Sequence, residues 1–340
     1  MRSIILRASC ATIGFVVSGA AVHAQEAPPT ATQKDDSYHS DPGREIVVTG
    51  VLPIARQDML SGVAVLQGAE LTQKLRPSIG ETLARTPGVS ATSFGPSASR
   101  PVLRGLQGER VRVLTDGLGS IDVSNTSVDH ATVVNPLLAD RIEVLRGPQS
   151  LLYGSAAIGG VVNVLDKRIP TQVPDEPVHV GAIATYGSAA NERSVAGSVD
   201  VPVTEHLVVH ADGSYLKSGD IRIGGYALTP ELRAQALASS LLPADPDAEE
   251  PIDFAANAAV RGKLPNTASE TWTAGAGVAY ISDGGSLGVS YSHYDSLYGV
   301  PIRFATEPGQ EQEGPRLSLL QNRLDARAEV NANGSLIDKI

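Results

Sequence analysis

From residue 178 onward, apolar and polar side chains alternate with a period of two. Val178, Val180, Ala182, Ala184 and Tyr186 share one face of 178–187. Val195, Gly197, Val199 and Val201 oppose Ser194, Ser198 and Asp200 over 194–202. Over 206–217, Leu207, Val209, Ala211 and Tyr215 oppose His206, His210, Asp212 and Ser214. The pattern returns in 270–281 with Trp272, Ala274, Ala276, Val278 and Tyr280, and in 286–294 with Leu287, Val289 and Tyr291. In 319–330, Leu320, Leu324, Ala326, Ala328 and Val330 oppose Gln321, Arg323, Asp325, Arg327 and Glu329. Such alternation predicts strands with one apolar and one wet face. Their lengths are near the roughly 9–11 residues a tilted strand needs to cross a bilayer.

The charged face of 319–330 is hard to bury in a soluble sandwich and natural in a wide, polar barrel lumen. The connections argue the same way. If the chain enters from the periplasm, 188–193, 218–269 and 295–315 fall outside, and 203–205, 282–285 and 331–335 fall inside. Both long connections then share the outer side, the asymmetry of an outer-membrane barrel. Trp272 and Tyr280, at opposite ends of one face, fit two interfacial girdles but equally fit sandwich packing. Backbone groups in lipid must all be paired, so the sheet must close. These strands, with a further one begun at Ser335-Leu336-Ile337, do not close around a folded domain. The expectation is the front part of a longer barrel.

Residues 51–168 lack the alternation and predict a compact α+β domain. Ser78-Ile79-Gly80-Glu81 is a capping box that opens a short helix through Arg85, stopped by Pro87-Gly88. Val111-Arg112-Val113-Leu114 predicts a strand turned by Asp116-Gly117, Arg141-Ile142-Glu143-Val144-Leu145 a second, and Val161-Val162-Asn163-Val164 a third. Ahead of this domain, 25–44 is a polar, Pro- and Asp-containing lead. It is followed by the β-branched run Glu45-Ile46-Val47-Val48-Thr49-Gly50. That run reads either as a domain's first strand or as a peptide that adds to a partner's sheet edge. Arg2 and Arg7, the apolar stretch 11–22 and Val22-His23-Ala24 before Gln25 predict a secretory signal over 1–24.

Composition narrows the function. Lys plus Arg number 27 against 37 Asp plus Glu, a net charge of −10 that argues against a nucleic-acid binder. Cys10 is the sole cysteine, which excludes a disulfide framework and a multi-cysteine metal site. Gly154-Ser155-Ala156-Ala157-Ile158-Gly159 lacks the Lys-Ser/Thr ending of a phosphate loop, and no His-Glu-x-x-His pattern occurs, so an enzyme is not expected.

Several longer motifs identify a family. Arg100-Pro101-Val102-Leu103-Arg104-Gly105 with Arg110–Leu114 and Asp116-Gly117, then Asp140-Arg141-Ile142-Glu143-Val144-Leu145-Arg146-Gly147-Pro148 through Leu152-Tyr153-Gly154, and Ala157-Ile158-Gly159-Gly160-Val161-Val162-Asn163-Val164, resemble the signatures of a TonB-dependent outer-membrane receptor. The resemblance implies an α+β plug domain over 51–168 and antiparallel transmembrane β-barrel strands over 178–340, the barrel being incomplete in this chain. It also implies a cell outer-membrane location once the signal is removed, and active transport of a scarce nutrient. Residues 25–50 become a flexible lead with a TonB box, in which Glu45, Ile46, Val47, Val48 and Thr49 bind TonB by strand addition. The expected partners are TonB with its inner-membrane energising complex, outer-membrane lipid and the transported ligand. Arg104, Arg110, Arg141 and Arg146 are expected to pair with wall carboxylates or within the domain, as Arg141 with Glu143.

Within that family, 110–164 is most similar to the zinc-uptake subgroup. The carriers are Asp116-Gly117-Leu118-Gly119-Ser120, Asp122-Val123-Ser124, Asp129-His130-Ala131 and Pro136-Leu137-Leu138-Ala139. The resemblance makes Asp129 and His130 candidate metal ligands, with zinc as cargo and no resident cofactor. A hydrogen-bonded structural histidine is the other, equal reading of His130. The subgroup often carries a His-rich loop after Tyr-Gly-Val-Pro. Here Tyr298-Gly299-Val300-Pro301 is followed by a stretch with Glu307, Glu311 and Glu313 and no histidine. Iron siderophores, haem and other ligands therefore stay open, as does a truncated, non-transporting plug fragment.

Overall fold

A computed structural model describes residues 46–49, 52–55, 62–120, 123–127, 129–243 and 251–331. The expected signal over 1–24, the lead to residue 44, Glu45 and the strand begun at Ser335 lie outside the described residues. Strands β1 (Ile46–Thr49) and β2 (Leu52–Ala55) form a two-stranded antiparallel hairpin.

The plug follows. Strand β3 (Ala64–Gln67) leads into α1 (Gly68–Lys74) and α2 (Ile79–Leu83), then β4 (Val89–Ala91), β5 (Pro101–Leu103), β6 (Val111–Thr115), β7 (Leu118–Gly119), β8 (Ala139–Leu145) and β9 (Gly160–Asp166). Five of them make a sheet in the order β3-β8-β9-β6-β7, with β6 and β9 parallel and the other neighbours antiparallel. Strands β4 and β5 pair separately. Helix α2 begins where the capping box places it: Ser78 Oγ accepts the Glu81 N–H at 3.3 Å. It ends at Leu83, before the expected Arg85, because Ala84 already closes the last turn onto Glu81.

One face of the plug sheet packs Ile142, Val144, Val162 and Val164 with Val111 and Val113 against Leu66, Leu71, Ile79 and Leu83 from β3 and the helices. The other face buries Leu114, Leu145, Ala157 and Val161. Burial of both faces explains why the sequence reads here as continuous apolar runs. Gly160, at φ +134°, begins β9 where a Cβ would meet Leu103 and the Leu145 carbonyl oxygen, so only glycine lets β9 lie so close.

The alternating region forms a second, six-stranded antiparallel sheet. Its strands are β10 (His179–Gly187), β11 (Glu192–Pro202), β12 (Leu207–Ser218), β15 (Ser269–Ser282), β16 (Gly285–Gly299) and β17 (Arg316–Val330), each paired with the next in that order. The apolar side chains point outward: Leu324 is 79% exposed and Val180 66%. Gln321, Arg323, Asp325, Arg327 and Glu329 occupy the less exposed alternate positions of β17, and Arg323 and Arg327 reach the plug. The inward face of the wall sheet is thus polar, as the pattern requires.

The stretch 218–269, expected as a connection, is structured. It carries the hairpin of β13 (Ile221–Tyr226) and β14 (Arg261–Leu264) with helices α3 (Pro230–Ser239) and α4 (Phe254–Ala259). Thr229 and Asp253 cap the helices. The insertion clasps the next long connection. Ser239 Oγ donates to the Thr306 carbonyl at 2.8 Å, Asn257 Nδ2 to that of Ala305 at 2.9 Å, and Asn266 Nδ2 to those of Val300 at 2.8 Å and Pro315 at 2.9 Å. The two long connections therefore form one body at one end of the wall.

Candidate functional site

Two stretches carry the expected site residues, and they behave differently. Ile46, Val47, Val48 and Thr49 lie in β1, paired residue for residue with Ala55, Ile54, Pro53 and Leu52. The β-branched run is therefore an extended strand with one neighbour from its own chain. Its backbone is already in the geometry that strand addition uses.

Asp129 and His130 lie in a tight turn on the plug. Ser127 Oγ donates to Asp129 Oδ1, the His130 N–H donates to the Ser127 carbonyl at 3.2 Å, and His130 Nδ1 lies 3.0 Å from Asp129 Oδ1. The Ser127 hydrogen bond, with His130 adding to it, holds the Asp129 carboxyl below the usual range against the opposing effect of burial. Buried Arg100 braces this loop by donating to Ser124 Oγ at 2.7 Å and Asn125 Oδ1 at 2.9 Å. The next residue joins the plug to the wall: the Ala131 N–H donates to Tyr298 Oη at 2.8 Å, and Tyr298 is fully buried beside Ala98 and Ala131. Tyr298 ends near the top of β16, next to the loop-bearing end of the wall. Asp129 and His130 thus directly precede a residue that meets the loop-bearing end of the wall, and they are bonded to each other. Among the described residues no cluster of three or more His, Cys, Asp or Glu side chains is arranged to hold a metal.

A third region was not foreseen in its details. Arg141 pairs with Glu143 at 3.0 Å inside the plug, one of the two expected arrangements. Arg146 instead donates to the Pro87 carbonyl at 2.7 Å. Arg168, at the end of the plug, pairs with Asp212 of the wall at 2.8 Å, but two other contacts run the opposite way. Arg323 on β17 donates to the Thr115 carbonyl at 3.2 Å, and Arg327 lies 3.2 Å from Asp116. Asp116 also accepts the Asp166 N–H at 3.4 Å. Burial, together with the neighbouring Asp166 carboxylate, pushes Asp116 up to about 7 despite Arg327. Asn135 Nδ2 bridges to Ser214 Oγ at 2.7 Å and Thr273 Oγ1 at 3.2 Å on β12 and β15. The signal for this interface was present as the charged alternate positions of 319–330, but not their partners.

Comparison with known proteins agrees with this architecture. Residues 55–161 match the TonB-dependent receptor plug domain family. A hemin receptor of Yersinia pestis is 32% identical over 139 residues, which is 41% of this chain and 20% of that protein. The solved copper transporter OprC superposes with a TM-score of 0.54 at 15% identity, covering 82% of this chain and 36% of that one. The ferric yersiniabactin uptake receptor FyuA of Yersinia pestis gives 0.51 at 15% identity, covering 80% and 38%. The chain spans about a fifth of the curated relative and little over a third of these solved chains. It carries a TonB-dependent receptor plug domain followed by antiparallel strands with the fold of such receptors. These relatives are receptors and transporters, not enzymes.

Proposed function

We propose that this chain serves TonB-dependent uptake of a scarce metal across the outer membrane. The observation that carries the reading is a plug domain held by hydrogen bonds and ion pairs against the polar face of a sheet whose other face is apolar. The proposal keeps a signal over 1–24, a lead with the TonB box to residue 50, the plug to 168 and the wall from 178. Residues 45–49 would recruit TonB by strand addition, with β1 exchanging its own-chain partner for the new one. Val47→Pro removes a donor and fixes φ. It should abolish growth on the limiting nutrient while leaving the amount of receptor in the outer membrane unchanged; full growth would overturn the assignment.

For the cargo, zinc is supported by the placement of His130 beside Ala131, which meets the loop-bearing end of the wall. With Nδ1 on Asp129, the ring presents Nε2, the arrangement in which a carboxylate orients a metal-binding imidazole. Water and residues elsewhere in the receptor would complete the set, since zinc takes about four ligands. Asp129→Ala with His130→Ala should remove high-affinity zinc uptake and leave membrane insertion intact. Unaltered uptake at limiting zinc would sink this reading. A metal chelate such as haem is the second reading, favoured by the relative that is a hemin receptor. Growth on haemin that survives the double substitution, in cells that fail to take up zinc through this receptor, would select it.

A further inference from the structure

One corner of the wall's outward face departs from its apolar rule. Register sets Tyr186 opposite Arg193, Arg193 opposite Lys217 and Lys217 opposite Glu270, in one row across β10, β11, β12 and β15. All four side chains are exposed. Arg193 and Lys217 are like charges directly opposed on neighbouring strands, a pairing that costs stability by itself. Lys217 is offset by Glu270, whose Oε2 accepts its Nζ at 2.8 Å and whose Oε1 accepts the Tyr215 hydroxyl at 2.6 Å. Arg193 has no such relief, since no carboxylate meets it among the described residues. The nearest acids in sequence are committed elsewhere. Glu192 alternates to the less exposed side of β11, and Asp220 accepts the N–H groups of Thr267 and Ala268 at 2.9 and 3.1 Å. A further cation stands at this corner. The Arg222 N–H donates to the Ala189 carbonyl at 2.7 Å, in the turn just before β11, and the Arg222 side chain is exposed.

Depth gives the corner a meaning. Leu207, paired with Tyr280, begins β12 at the end of the wall away from the long connections. Lys217 lies ten residues further along that strand. The rise between them is about 23 Å for a strand tilted by about 45°. The apolar band of an outer-membrane wall is about 25 Å tall. Arg193 and Lys217 therefore fall at its outer edge, where headgroups begin. Tyr215 and Trp272 pair one step below them, and Tyr186 stands beside Arg193, so aromatic rings collect at the same level. Beneath, the exposed Val195, Val180 and Val209 restore the apolar surface. A girdle explains the rings. It does not explain two cations facing each other, which an anion placed between them would relieve.

We propose that this corner binds the phosphorylated sugar headgroup of an outer-leaflet glycolipid. A phosphate sits between Arg193 and Lys217, gripped by two guanidinium N–H groups and by the lysine's point charge. The sugar rings lie against Tyr186 and Tyr215, and the acyl chains run down the apolar face over Val195. A chain of net charge −10 has no general attraction for an anionic surface, so the local pair supplies it. The site is on the outside of the wall, away from the plug. It rests on the wall spanning the outer membrane and is indifferent to the cargo.

The test uses the full-length receptor folded into phosphatidylcholine vesicles. The probes are bis-phosphorylated lipid A, its dephosphorylated form and phosphatidylglycerol, each counted on the receptor by native mass spectrometry. Lipid A should be retained well above the other two. Arg193→Gln should weaken its retention about fivefold, the worth of one cation at an anionic surface. Arg193→Lys should restore most of the loss. Glu270→Gln frees Lys217 and should strengthen retention by a similar factor, a gain that a damaged wall would not give. Heat-modifiable mobility checks that each variant is a folded barrel. Wild-type retention in Arg193→Gln, no gain in Glu270→Gln, or equal retention of the dephosphorylated form would overturn the site. Phosphatidylglycerol held as firmly as lipid A would also overturn it, because charge alone would then be read rather than a sugar phosphate. A wild-type receptor that does not fold into vesicles would sink the membrane reading itself. Folding without any headgroup preference would sink the glycolipid site alone.

Discussion

In β9, five consecutive residues from Gly160 are shut away from solvent, whereas along β17 every second side chain is exposed, and most of the exposed ones are apolar. Both are strands of one chain, yet their hydrophobic codes are opposite. The plug sheet has packed residues on both faces and follows the ordinary rule of apolar inside. The wall follows an inverted rule, with Arg323, Asp325 and Arg327 on the inward face and Leu320 and Leu324 outward. The inversion makes sense only if the outside of the wall is itself apolar and the inside is polar or wet. Even Asn163, in the middle of β9, obeys the plug's rule. It is buried, and it is satisfied by donating to Glu143 at 3.4 Å and accepting the Gly117 N–H at 2.9 Å.

The largest effect should come from placing a charge at the centre of the plug. Val162 is fully buried between Val113 and Val144. Val162→Asp should destabilise the plug by about 4 kcal/mol or more, since an unpaired carboxylate there has no partner. Protease should then cut the plug while the wall still shows folded-barrel mobility. If both collapse together, the two sheets are one cooperative unit and the contrast drawn here is misplaced. Next comes Leu324→Arg, near the middle of β17 and facing outward. In lipid it should cost about 2–4 kcal/mol; on a water-facing surface it should stay within about 0.5 kcal/mol. Unfolding from lipid vesicles distinguishes the two, and a neutral result would remove the membrane from the argument.

The wall was legible because its code is periodic and local. The strand expected over 286–294 in fact runs through Gly285–Gly299, since His293 and Asp295 break the apolar set while pairing with β17 continues. In the plug, β4 and β5 escaped notice because strands of three residues exist only by virtue of each other. The insertion was hidden for a related reason: its helices are short and packed by polar clasps such as Asn257 and Ser239 rather than by an apolar stripe. Of the candidate site, the adjacency of Asp129 and His130 was readable, but their mutual bond was not. His210 lies between Asp200 and Asp212, and Asp212 in turn meets Arg168, 44 residues away in sequence. The trace of this group in the sequence was a pair of inward acids and a histidine facing glycines one strand away.

A smaller and pH-dependent effect belongs to the seam between the two sheets. Asp116 rises from 3.8 to about 7 through burial and the nearby Asp166 carboxylate. The folded plug therefore holds a proton that the unfolded chain releases between those values. Its contribution is fully present below about pH 4 and is lost as pH rises through about 7. The urea midpoint of the plug should fall across that window. Asp116→Asn, which cannot ionise, should flatten the dependence while leaving the wall's own unfolding unchanged. An unaltered slope would assign the titration to another group.

The smallest effect tests whether local signals act locally. Ser78 caps α2 through a single side-chain bond to the Glu81 N–H, and Ser78→Ala would ordinarily cost about 1 kcal/mol. Here the same turn is also tied by Thr82, whose Oγ1 donates to the Ser78 carbonyl at 2.9 Å and accepts the Arg76 N–H at 3.0 Å. The Gly80 N–H donates to the Ser99 carbonyl at 3.2 Å, so the helix start is held from the loop side as well. These bonds survive the substitution. The loss should therefore fall below the usual value and appear only in the plug's unfolding midpoint, with the wall and the β1–β2 hairpin unmoved. A loss well above about 1 kcal/mol would mean that α2 is positioned by its cap rather than by Leu83 and Ile79 in the core.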